Sequence, residues 1–113
     1  MSITVHLRYT GKRNAAIDFA KEMTESGVVE KIRAEKGNLH YEYFLSLFDE
    51  CADKTVLLID QWENQEAIDI HHASPMMAEI AGLREKYDLH MTVERFVADE
   101  GGVPESDKEF IRK

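Results

Sequence analysis

At 113 residues and 13.0 kDa, 43% hydrophobic and 32% charged, the chain has room for one domain and too much apolar content for intrinsic disorder. Its 22 acidic against 14 basic residues give a net charge of −8, the wrong sign for gripping nucleic acid through its phosphates. The lone Cys51 excludes an internal disulfide, and no apolar run nears the roughly 20 residues that span a bilayer; the expectation is a cytoplasmic protein without nucleic-acid or membrane partners.

In chain order, Ile3, Val5, Leu7 and Tyr9 alternate with Thr4, His6 and Arg8, the period of a strand. From about residue 12 to residue 36 the period lengthens, with Ala16, Phe19, Ala20 and Met23 on one helical face. Ser26-Gly27 should interrupt this helix, because glycine costs about 1 kcal/mol against alanine inside one. Val28, Val29 and Ile32 resume it, and Lys36-Gly37 reads as its end. Leu39, Tyr41, Tyr43, Leu45 and Leu47 alternate over a second strand, 38–47, and a polar connection leads to a third, TVLLIDQW (55–62). Asn64 is placed to cap a helix over about 65–73, and Ser74-Pro75 to start another, with Ser74 as cap and Met76, Met77, Ile80, Ala81 and Leu83 as its apolar residues. Residues 89–97 (LHMTVERFV) predict the last strand.

The order β-α-β-β-α-β predicts an α+β, ferredoxin-like domain over residues 1–97, its four-stranded antiparallel sheet covered by helices on one face. The third and fourth strands are apolar on both parities, so a solvated second face would expose several large side chains, each worth roughly 1.5–3 kcal/mol on burial. That predicts a homodimer through the open sheet face. The tail, 98–113, carries a Gly101-Gly102 hinge before Phe110 and Ile111; it either reaches the partner subunit or frays.

Few residues offer chemistry. Phosphate-binding glycine loops, nucleophile elbows and zinc-binding H-E-x-x-H are absent, and none of the five histidines shows metal-ligand spacing, so no metal is expected. His71 and His72, as helix neighbours, should diverge by about 100° and not share a face. His71 follows Ala67 and Ile68 at helical spacing, near the apolar side. Two roles stay open for it: a base or donor titrating near neutrality, or the commoner helix-end imidazole bonded to backbone. Trp62 reads as core with an N–H in need of a partner. Tyr41 and Tyr43 either pack under the helices or present phenols to a cavity. Met76 and Met77 are adaptable fillers, also usable against a flat ligand.

The stretches EKGNLHYE (35–42), LLIDQWENQEAIDIH (57–71) and SPMM (74–77) resemble the antibiotic biosynthesis monooxygenase domain family, most specifically through Asp60, Trp62, Glu66, Ala67, His71, Ser74 and Pro75. The resemblance implies a dimeric α+β barrel and a monooxygenase that oxidises a small quinol or activated aromatic with dioxygen, using no cofactor. It makes His71 the base or orienting donor, Trp62 a pocket wall, and Asn38 and Tyr41 polar contacts to substrate. Met76 stands where many relatives carry histidine, and Ala81 where the haem-degrading branch has its ligand. A sister branch implies an alternative, an isomerase of a small phosphorylated quorum-sensing metabolite. Its anionic ligand would need Arg or Lys, which the expected cavity stretches 38–47 and 55–77 lack. A non-catalytic binder of a small hydrophobic ligand is the third reading.

Overall fold

The computed structural model describes residues 1–113. Its elements are β1 (Ile3–Thr10), α1 (Ala15–Glu25), α2 (Val28–Arg33), β2 (Asn38–Leu45), β3 (Thr55–Trp62), α3 (Gln65–His72), α4 (Met76–Lys86) and β4 (His90–Val97), then a 3₁₀ turn, Glu105–Phe110. Glycine breaks the first helical stretch as expected: Gly27 adopts φ 88°, a left-handed conformation that turns α1 into α2. Asn64 caps α3, its side-chain oxygen accepting from the Ala67 N–H at 2.9 Å. Ser74 does not cap α4. The N-cap position falls on Pro75, and the Ser74 hydroxyl is buried without a hydrogen-bond partner.

The strands pair antiparallel in the order β2-β3-β1-β4, the ferredoxin-like arrangement. Tyr41, Asp60, Val5 and Arg95 form one row across the sheet on the helix side; Tyr43, Leu58, Leu7 and Val93 form the next. A register shift between Asn38 and His40 bulges the start of β2. Leu39 therefore leaves the parity expected of it and lies 54% exposed. The strand also ends at Leu45, short of Leu47, which is fully in solvent.

The core lies between the sheet and α1 and α2, where Phe19, Met23 and Ile32 are completely buried. On the opposite face no helix covers the sheet, and Phe44, Leu57, Ile59 and Phe96 share it with His6 and His40. Within one protomer Leu57 and Ile59 are half-buried, and every residue of β4 is exposed. Burial of these two strands on both faces thus requires something beyond the protomer. The tail runs over the surface, tied near its start by the Ala98 N–H to the Ser2 carbonyl, with Phe110 and Ile111 exposed. No helix is long and apolar enough to cross a membrane.

Candidate active site

Between α3, α4 and the sheet lies a cavity of about 260 Å³. Every strand contributes to it, because side chains of one parity on antiparallel neighbours line up in rows. Val5, Leu7 and Leu58 form its floor, Ile68, Met77 and Ile80 its roof, and Met91 and Val93 its outer wall. A groove of about 350 Å³ between α1 and β2 is larger, but it is open to solvent and its only charged residues, Lys21 and Glu25, are exposed. The chemistry lies in the smaller space.

At one end of the cavity His71 is 4% exposed, its ring 4.8 Å from that of Trp62 and tilted by 30°. Its Nδ1–H donates to Glu35 Oε1 at 2.7 Å. Glu35 comes from the turn between α2 and β2, and Gly37 makes the close approach possible. A Cβ at Gly37 would lie 2.7 Å from the Ala67 Cβ, and its φ of 89° disfavours any side chain. The Gly37 carbonyl also accepts from the Glu63 N–H at 2.8 Å, tying this turn to the end of β3. With Nδ1 bound to a carboxylate, the imidazole is held in one orientation and Nε2 is left as its free nitrogen.

Beside this pair the Trp62 indole N–H donates to Asp60 Oδ1 at 2.7 Å. Burial pushes the Asp60 carboxyl up to about 6, although the indole hydrogen bond and His71 hold it back. A carboxyl that titrates so near neutrality, facing a cavity, is suited to proton transfer. The Tyr41 and Tyr43 hydroxyls lie 3.4 Å apart, and burial raises both phenols well above their ordinary range. Tyr9, also on the cavity, is pushed up to about 12 by burial. These phenols stay protonated and act as hydrogen-bonding groups, not as bases.

Of the residues singled out in the sequence, His71, Trp62, Tyr41 and Met77 line the cavity. Met76 packs against the core instead, and Asn38 sits at the bulge with its amide on the His40 and Gln61 carbonyls, both at 3.4 Å. His71 bonds a carboxylate, not backbone. His72 reaches the cavity beside His71, with ring centroids 5.7 Å apart, because the cavity wraps around the end of α3. Sequence reasoning missed Glu35, whose partner is 36 residues away. It also missed Arg84 and Arg95. Both line the cavity from α4 and β4, outside the stretches expected to form it, so the space does contain cations. The parity of Met91, Val93 and Arg95 carried the signal for the second.

No group of three or more His, Cys, Asp and Glu side chains is arranged to hold a metal ion. The model of the antibiotic biosynthesis monooxygenase family matches residues 2–82. The chain belongs to that family. Among solved structures it is similar to a candidate antibiotic biosynthesis monooxygenase from Deinococcus radiodurans (TM-score 0.71, 19% identity, covering 88% of this chain and 94% of that one). It also resembles SnoaB, a cofactor-independent oxygenase from Streptomyces nogalater (0.68, 15%, 88% and 94%), and PA3566 from Pseudomonas aeruginosa (0.69, 19%, 86% and 93%). At such identities the likeness establishes the shared fold. No curated protein matches the sequence.

Proposed function

We propose that this family member is a cofactor-independent monooxygenase that oxidises a small quinol or similarly activated aromatic with dioxygen. The observation that carries the reading is the buried His71, held by the half-buried Glu35 and opening on a mostly apolar cavity. Withdrawing ionisable groups from water is costly and pairing them often no more than offsets it, so a plain hydrophobic binder gains nothing from such a pair. The family match and the description of SnoaB point the same way.

In this reading a flat substrate lies against Trp62 and Met77, and His71 Nε2 removes a phenolic or ring-carbon proton. The electron-rich anion then reduces dioxygen directly; one oxygen atom enters the substrate as a carbonyl and the other leaves as water. The apolar walls exclude bulk water, and the neutral Tyr41 hydroxyl is available to the anion. The working assembly is a homodimer, each protomer covering Phe44, Leu57, Ile59 and Phe96 of the other's sheet, with tail residues 98–113 lying against the partner subunit. Sedimentation at micromolar concentration should give the dimer, and Phe96→Glu the monomer.

Oxygen uptake with a panel of hydroquinones tests the chemistry. The wild type should consume oxygen, and His71→Ala should lose about 100-fold in kcat. Equal rates for the two would remove His71 from the reaction, and no uptake from the wild type with any quinol would remove the reading itself.

A further inference from the structure

The cavity's polar groups are not balanced in charge. Of the 14 Lys and Arg side chains only Arg8, Lys86 and Lys108 form ion pairs, with Glu94, Glu22 and Glu105, so what matters for the others is where they stand. Arg84 and Arg95, both on the cavity, pair with none. Arg95 is exposed and donates to the Gln65 side-chain oxygen. Arg84 is the less satisfied of the two. It is half-buried, and the only acceptor it meets is the Met91 thioether sulfur, at 3.4 Å from Nη1. Thioether sulfur is a weak acceptor, and five guanidinium N–H groups call for better. Glu85 and Asp88 share a surface recess with Arg84, yet neither forms an ion pair with it.

We infer that the ligand of this cavity is an aromatic acid, its ring between Trp62 and Met77 and its carboxylate on the guanidinium of Arg84. The inference rests on reading the cavity as the substrate site and adds the substrate's chemical class. A planar guanidinium fork matches a carboxylate with two parallel hydrogen bonds, the strong form of charge-assisted pairing. Arg84 stands toward the Met91 end of the cavity, away from the His71–Trp62 end, so the two groups act on opposite ends of one ligand. The walls decide against a sugar phosphate, the other anion that arginines would attract. Val5, Leu7, Leu58, Ile80 and Val93 make most of the lining apolar, Tyr9, Tyr41, Asp60 and His71 are few partners for the several hydroxyls of a sugar, and any hydroxyl left unpaired is expensive to bury. A one- or two-ring acid suits both the volume and the lining.

Calorimetric titration of the full chain in anaerobic buffer separates this from the oxygenase reading, because binding requires no turnover. The probes are 6-hydroxy-2-naphthoate, 2-naphthol as its neutral counterpart, and ribose 5-phosphate. The naphthoate should bind at least tenfold more tightly than the naphthol. Arg84→Gln should abolish that preference, Arg84→Lys should keep part of it, and Arg95→Gln should change it less than threefold. The inference is overturned if the naphthol binds as well as the naphthoate, if neither binds, if ribose 5-phosphate binds best, or if Arg95→Gln rather than Arg84→Gln removes the preference. Acid preference without oxygen uptake would leave it standing and remove the oxygenase reading; uptake with equal affinities would do the reverse.

Discussion

The same sheet is roofed twice, by α1 and α2 in the first half of the chain and by α3 and α4 in the second. The first roof packs closely through Ala16, Phe19, Met23 and Ile32, which show no exposed surface, and its groove along β2 opens to solvent at the edge instead of lying beneath the helices. The second stands off, with only Ile80 of α4 buried and an unfilled 260 Å³ beneath it. Polar groups follow the same division. The Glu35–His71 and Asp60–Trp62 hydrogen bonds both lie on the second side. Incomplete packing and buried ionisable groups each oppose stability, and here they coincide, as expected where function overrides local rules. One half holds the fold, and the other gives up some of that stability around the candidate site.

The largest effect should come from breaking the packed half. Phe19→Ala removes a fully buried ring that packs, tilted by 46°, against Tyr9 at 4.9 Å between centroids, and should lower unfolding free energy by about 3–5 kcal/mol in urea titration. Oxygen uptake per folded molecule should stay within a few-fold of wild type. His71→Ala, next in size, should do the opposite. Its loss of about 100-fold in kcat corresponds to about 2.7 kcal/mol of barrier, with a smaller change in urea midpoint. If Phe19→Ala silenced the folded enzyme while His71→Ala merely unfolded it, the division between the halves would be false.

Much of this division could be read from the sequence. Ala16, Phe19 and Met23 mark the packed face by spacing alone, Gly27 marks the helix break, and strand parity puts Asp60 and Trp62 on one side. What escaped were pairings made by tertiary approach. Nothing near Glu35 announces a histidine 36 residues on; their meeting depends on the turn at Gly37. Arg84 was hidden because a helix carries it in, and Asn38 was misplaced because a bulge moves the start of β2 out of simple alternation. The Ser74 cap failed at its side chain: Pro75 is helical, at φ −60° and ψ −22°, as a proline opening a helix should be, but the Ser74 hydroxyl reaches no backbone N–H of α4.

Asp60 sharpens the comparison through pH. Its carboxyl is raised from 3.8 to about 6 in the folded protein. Below the lower value it is neutral in both folded and unfolded chains and carries no penalty. As pH rises through about 6 the folded state comes to hold a disfavoured charge, so this contribution to stability is lost with rising pH. Asp60→Asn keeps an oxygen for the Trp62 N–H but never ionises. Its stability gain should grow between pH 4 and 6.5 and level off at about 2 kcal/mol, allowing for solvent in the cavity. A gain independent of pH would mean that packing, not charge, limits this half.

The smallest effect, and the most specific, belongs to Glu35→Gln. The amide oxygen can still accept from His71 Nδ1–H, but the bond is no longer charge-assisted. If Glu35 positions and polarises the imidazole, kcat should fall about tenfold, equivalent to about 1.4 kcal/mol, with KM and urea midpoint nearly unchanged. Glu35→Ala, which removes the acceptor altogether, should fall further, and the glutamine variant should therefore look like a partial rescue. Equal activity of the glutamine and alanine variants would show that the charge alone matters. A fall in stability without a fall in kcat would make the pair a structural tie and return His71 to the packed half.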